Sequence, residues 1–263
     1  MVRFRSMADT DRFAHIYLSP HLDDVALSCG GRIWQQTRVG ERVAVVTVFA
    51  AAPEPDAQLS SYARGLHARW GQLKGAVQQR QEEDRQALLL LGAEPLHWPY
   101  TDCIYRRTPG GDFPYSGEEA LWGEIHPSEA DLVEELADRI RALPLLTRGV
   151  LYVPLAVGRH VDHRIVRQAA EGSDRPLTYY EDFPYAEDRG AVDIARAGGA
   201  WKAELLPLSQ EALEAKISAI ARYRSQISTF WGSTTQMVAA VRAFAKRTGS
   251  GGLAERYWRP TPP

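Results

Sequence analysis

The chain has 263 residues, 44% apolar and 24% charged, which is long enough for a substantial core and ordinary for a globular protein. Its 31 Lys and Arg against 33 Asp and Glu leave a net charge of −2, so charge gives no reason to expect nucleic acid or an anionic membrane as partner. Two cysteines argue against a disulfide framework, and the longest uncharged apolar run, residues 43–52, is far shorter than the roughly 18 residues a membrane helix needs. The basic N-terminus has no apolar stretch behind it and does not read as a secretory signal, so the expectation is a soluble cytoplasmic protein.

In chain order, residues 14–18 ("AHIYL") and 42–52 are β-branched and apolar, and predict strands buried on both faces. Residues 24–38 between them carry Val25, Ile33 and Trp34 in helical register and close at Val39-Gly40, completing a strand–helix–strand unit of a parallel sheet. Residues 54–72 are polar and punctuated, predicting loop or short helix. Residues 77–91 form a strong helix with Gly92 at the position after its end. "PLHWPY" predicts a short strand. Residues 101–126 are long, Gly/Pro-rich and aromatic, as functional loops often are. A further helix is expected to open at Ser128, with Ser128 and Asp131 as its capping pair. Residues 149–157 predict a buried strand, 158–171 a loop leading into a helix, 176–185 a strand and 210–223 a helix. No internal repeat interrupts this pattern, so a single α/β domain is expected over residues 1–263.

Two strand-to-helix junctions carry chemistry. "SPHLDD" places His21, Asp23 and Asp24 at the first, and "GRHVDH" places His160, Asp162 and His163 at the second. Ligands of open parallel sheets bind beyond the carboxyl ends of the strands, so the two clusters can converge on one site although they are far apart in sequence. A catalytic zinc takes three His or carboxylate ligands and keeps one position open for water. His21, Asp24 and His163 would supply these, leaving Asp23 to take a proton from the water. His160 could face the substrate from the opposite side, and Asp162 could hold one imidazole in its tautomer. Taken singly, either aspartate of the first junction could be a helix cap, and the second motif is as ambiguous; together the two junctions are hard to explain that way.

These residues resemble the PIG-L/LmbE-type zinc-dependent de-N-acetylases, whose first motif is usually A-H-P-D-D-E. The resemblance implies a Rossmann-like, mostly parallel α/β sheet flanked by helices and removal of an N-acetyl group from an N-acetylglucosamine-containing small molecule or glycoconjugate. It implies His21, Asp24 and His163 as zinc ligands, Asp23 as general base, and His160 as the histidine that, protonated, stabilises the oxyanion or protonates the leaving amine. "RQEEDRQALLLLG" resembles the family helix whose arginine, here Arg80, reaches the sugar. Asp102 falls where the family often has an aspartate that binds a sugar hydroxyl. "ARYRSQIS" and "AERYW" also resemble recurring segments, so the likeness runs from about residue 13 to residue 258. Leu22 and Val25 replace the usual proline and glutamate, and Gly158 stands where some members have tyrosine. An insertion over about residues 104–127 is the expected seat of substrate specificity.

The cofactor expected is Zn2+, with Fe2+ as the other candidate. The partner expected is a small amino-sugar substrate, with no nucleic acid and no membrane span; self-association is left open. Two rival readings are a hydrolase of another amide, such as an acylated amino-sugar antibiotic or thiol precursor, and a metal-containing sugar-binding protein without turnover. Gly30-Gly31 matches no dinucleotide fingerprint and suggests close packing of helix on sheet. Cys29 reads as core, and His15, His67, His97 and His126 have no partner spacing.

Overall fold

The computed structural model describes residues 12–69 and 75–261. Strand β1 (Phe13–Ser19) runs through α1 (Asp24–Arg38) into β2 (Val43–Thr47), giving the expected first unit with parallel pairing. Helices α2 (Ser61–Arg69) and α3 (Ala76–Leu90) precede β3 (Glu94–His97). The part of the 54–72 prediction from residue 70 on lies outside the described residues. A 3₁₀ turn (Cys103–Tyr105), the short α4 (Glu118–Leu121) and a second 3₁₀ turn (Pro127–Glu129) occupy the aromatic region before α5 (Ala130–Arg141). Then come β4 (Leu145–Pro154), α6 (Val161–Glu171), β5 (Leu177–Tyr180), α7 (Arg189–Ala195) and β6 (Trp201–Pro207). The chain closes with α8 (Gln210–Ile220), α9 (Arg224–Phe230), α10 (Thr234–Thr248) and β7 (Ala254–Pro260).

The strands make one sheet in the order β3-β2-β1-β4-β5-β7-β6, parallel through β5, with β7 antiparallel to both of its neighbours. Alternate residues of β1 serve opposite cores: Ile16 and Leu18 pack on one face, Tyr17 on the other. That two-sided burial is why the strand reads as continuously apolar. The chain leaves β1 toward β2 and leaves β4 toward β5, in opposite directions across the sheet. This reversal opens a crevice at the carboxyl ends of β1 and β4, where both motifs lie.

Several local expectations are corrected. The second strand ends at Thr47, and Phe49 and Ala51 make only isolated bridges, to Pro99 and Thr101. The helix expected over 210–223 stops at Ile220, and a new helix starts at Arg224. Ser128 does not cap α5. Pro127, with its fixed φ, starts a 3₁₀ turn that takes Ser128 inside it, and the Ser128 hydroxyl is 2.8 Å from His126 Nδ1, which also accepts the Ser128 N–H. Gly30 and Gly31 let α1 pack closely on side chains of α8, of the β6–α8 turn and of strand β7 of the sheet. A Cβ on Gly31 would lie 2.7 Å from Leu208, and one on Gly30 would lie 3.1 Å from Lys216. The buried Lys216–Glu255 ion pair enters α1 there: Nζ donates to Ser28 O, and the Glu255 carboxylate accepts the Gly31 and Arg32 N–H groups.

Candidate metal centre and active site

Ser19 ends β1, and its hydroxyl does the work that a capping aspartate would do. Ser19 Oγ donates to His21 O and accepts the Val25 N–H at 3.2 Å. Asp23 therefore holds the N-cap position of α1 without spending its carboxylate as a cap. Its φ of 145° is a costly conformation for a residue with a Cβ, of the kind that persists where packing over-determines it. Asp24 turns the other way, and its Oδ2 accepts the His21 N–H at 2.8 Å.

The same Asp24 Oδ2 lies 3.4 Å from His21 Nδ1 and 3.3 Å from His163 Nε2. Tetrahedral zinc bonds of about 2.0–2.1 Å put ligand atoms about 3.3–3.4 Å apart, so each of these two separations suits a pair of zinc ligands. Both imidazoles are held from behind. His21 Nε2 is 2.9 Å from Asp162 Oδ2, and His163 Nδ1 is 2.7 Å from Asp182 Oδ1. Each contact leaves the opposite ring nitrogen available to a metal ion, as carboxylate–histidine pairs do in metal sites. His160 also comes close, its nitrogen grouping with those of His21 and His163 within 4.8 Å. His21 and His163 are thus common to two candidate ligand sets, one completed by Asp24 and one by His160.

The charges follow from this packing. Burial disfavours charge on Asp24, but His163 and His21 hold it well below the usual carboxylate range. Burial likewise opposes charge on His163, yet Asp24 and Asp182 raise it to about 9, and His21 is raised by Asp102, Asp162 and Asp24. Asp23 moves the opposite way, pushed up to about 8 by burial and by the adjacent Asp24 charge. A protonated His160 does not fit the structure. Its Nδ1 accepts the Asp162 N–H at 3.2 Å as the N-cap of α6, and burial and the neighbouring His21 hold its pKa well below normal. The ring is neutral, with its proton on Nε2.

His21, Asp23, Asp24, His160, Arg80 and Asp102 all line one cavity of about 340 Å³. Arg80 is buried on α3, and its charge offsets that of Asp23. Asp102 Oδ1 accepts the Ile104 N–H, while its Oδ2 lies 3.7 Å from His21 Nε2. Asp162 is fully buried behind the cavity rather than in it. Sequence reasoning missed Asp182, although "YYEDFPY" also ends a strand of the parallel sheet and offered the same signal as the first two junctions. It also missed Trp122, whose ring meets His160 edge-on at 5.2 Å, and Tyr185, Gln226 and Phe230 on the cavity wall. Tyr185 explains Gly158, where a Cβ would come within 2.9 Å of the Tyr185 ring. The other four histidines have partners away from the cavity: His97 pairs with Asp84, His67 with Tyr105, His15 with Glu41 and His126 with Ser128.

The family model described as PIG-L, GlcNAc-PI de-N-acetylase, matches residues 16–172, a span that holds both junctions. This chain belongs to that family. It is 26% identical over 265 residues to a 2′-N-acetylparomamine deacetylase of Niallia circulans, covering 94% of this chain and 91% of that one. It is 29% identical over 274 residues to the 2′-N-acetylparomamine deacetylase of Streptomyces fradiae, covering 94% and 90%. Among solved structures, the zinc-inhibited form of teicoplanin deacetylase Orf2 superposes with a TM-score of 0.80 at 30% identity, covering 94% of this chain and 97% of that one. The fold is that of these deacetylases, and the chain is an amide hydrolase. Among the described residues, no helix is long and apolar enough to cross a membrane.

Proposed function

We propose that the chain removes the acetyl group from the nitrogen of an amino sugar, with zinc held by His21 Nδ1, Asp24 Oδ2 and His163 Nε2. The placing of Asp24 Oδ2 beside both His21 Nδ1 and His163 Nε2, with the Asp23 carboxylate left over on the same cavity, carries this reading. When bound, zinc supplies a Lewis acid and lowers the pKa of water from about 15.7 toward about 7. Asp23 accepts the proton of the attacking water, and burial beside Asp24 makes it a stronger base than a free aspartate. The Nε2–H of neutral His160 donates to the carbonyl oxygen as negative charge develops on it. Asp23 then returns the proton to the departing nitrogen, so the C–N bond breaks as acetate and a free amine form.

Arg80 and Asp102 face the sugar hydroxyls, and Trp122, Tyr185 and Phe230 offer ring faces and edges to its apolar side. The paromamine relatives favour a 2-acetamido sugar within an antibiotic intermediate as the substrate, which merges the first reading with the acylated-antibiotic alternative. The test is acetate release from N-acetylglucosamine, its glycosides and 2′-N-acetylparomamine, with metal content measured on the same sample. Release that stops on chelation and returns with zinc supports the proposal. A zinc-loaded protein that releases nothing from this panel refutes the substrate assignment, and release that chelation leaves untouched refutes the zinc.

A further inference from the structure

Arg106 follows the first 3₁₀ turn at the start of the aromatic insertion, and its side chain is 11% exposed. Its guanidinium carbon lies 4.7 Å from the centre of the Phe49 ring and 5.6 Å from that of Tyr115. Nη2 donates to Asp162 Oδ1 at 2.6 Å, Nη1 donates to Thr101 O at 3.0 Å, and Nε lies 2.9 Å from Glu129 Oε2. One planar cation thus touches the insertion before its start, in its middle and after its end. The other oxygen of Asp162 accepts the Cys103 N–H at 3.0 Å and faces His21 Nε2 at 2.9 Å.

We propose that Arg106 is a positioning residue for the metal centre, acting through Asp162 on His21, and that it ties the folding of the insertion to the orientation of that ligand. The proposal rests on the reading of His21 as a zinc ligand. Its physical basis is that a fully buried carboxylate holds one orientation only while both oxygens are partnered. With Arg106 in place, Asp162 is fixed from one side and fixes His21 from the other, reserving Nδ1 for the metal. Without it, Asp162 Oδ1 is buried with no cation beside it, and only the Cys103 N–H on the other oxygen still holds the carboxylate beside His21. A lysine keeps the charge but lacks the planar fork that reaches Asp162, Thr101 and Glu129 together.

The experiment measures zinc affinity of the substrate-free protein by competition with a chromophoric chelator, for wild type, R106M, R106K and E129Q, beside thermal unfolding of the zinc-free forms. R106M is expected to bind zinc about 10–100-fold more weakly, the usual effect of losing a partner behind a ligand, with R106K in between. E129Q leaves the Arg106–Asp162 pair intact and is expected to bind zinc nearly as tightly as wild type. A merely structural arginine would lower the unfolding temperature of R106M and leave the zinc affinity of its folded fraction unchanged, which would overturn the inference. If R106M does not fold, R106K decides, and wild-type zinc affinity there overturns the inference equally. If H21A binds zinc as tightly as wild type, the ligand assignment on which the inference rests fails, and that outcome is distinct from a failure at Arg106.

Discussion

Substituting Asp182 by asparagine tests the metal centre from behind. Asp182 uses both oxygens on donors: Oδ1 is 2.7 Å from His163 Nδ1, and Oδ2 accepts the Val157 N–H at 3.0 Å. Asparagine has the same shape but a single acceptor oxygen. If that oxygen stays on His163, the new amide confronts the buried Val157 N–H. One hydrogen bond is lost there and a donor is left unsatisfied, at a cost of about 1–3 kcal/mol in stability. If the oxygen turns to Val157, the amide N–H faces His163 Nδ1 and forces the ring proton onto Nε2, the atom 3.3 Å from Asp24 Oδ2. The metal then loses its lone pair. Either orientation also removes the negative charge behind His163, so zinc affinity should fall by about 10–100-fold, or about 1.4–2.7 kcal/mol. Chelator competition measures the affinity, and thermal unfolding of the zinc-free protein separates the two orientations. D182N with wild-type zinc affinity and wild-type unfolding temperature would refute the reasoning, because neither orientation allows both to survive.

Three further outcomes are expected. D23N should retain zinc and lose about 10²–10⁴-fold in acetate release, the usual contribution of a general base; equal release by wild type and D23N would remove Asp23 from the mechanism. Zinc binding should weaken as pH falls from about 9, because metal-free His163 holds its proton up to about 9 and zinc needs the deprotonated ring; calorimetry in buffers of different ionisation enthalpy should show at least one proton released at neutral pH, and none would contradict this. G158A should lose on the order of 1–3 kcal/mol, since φ is +84° and the new Cβ would come 2.9 Å from the Tyr185 ring; an unchanged unfolding temperature would show that Tyr185 yields freely.

Much of the fold was legible locally. The strand–helix–strand start, the helix closed by Gly92 and the buried strand before His160 all follow from apolar periodicity and turn residues, which act over a few positions. The antiparallel edge was not legible. Strand β6 alternates in exposure without a strongly apolar face, and it pairs only because β7 returns beside it after α8, α9 and α10. The false cap at Ser128 shows the same limit, since Pro127 and His126 shift the start of the turn by contacts that a capping pattern does not contain.

The sequence by itself determined which residues stand at the two strand ends and their chemical kind, because each motif is a few consecutive residues at a strand-to-helix turn. Only the tertiary structure decided how they divide the work. Which nitrogen of His21 faces Asp24, why Asp23 is free of capping and why His160 is neutral depend on Ser19, Asp162 and the crevice between β1 and β4. Asp182 and Arg106 come from segments distant from both motifs and act through single hydrogen bonds and ion pairs. Such contacts leave no periodicity in a chain, and they exist only once the sheet and the insertion have brought their partners to within about 3 Å.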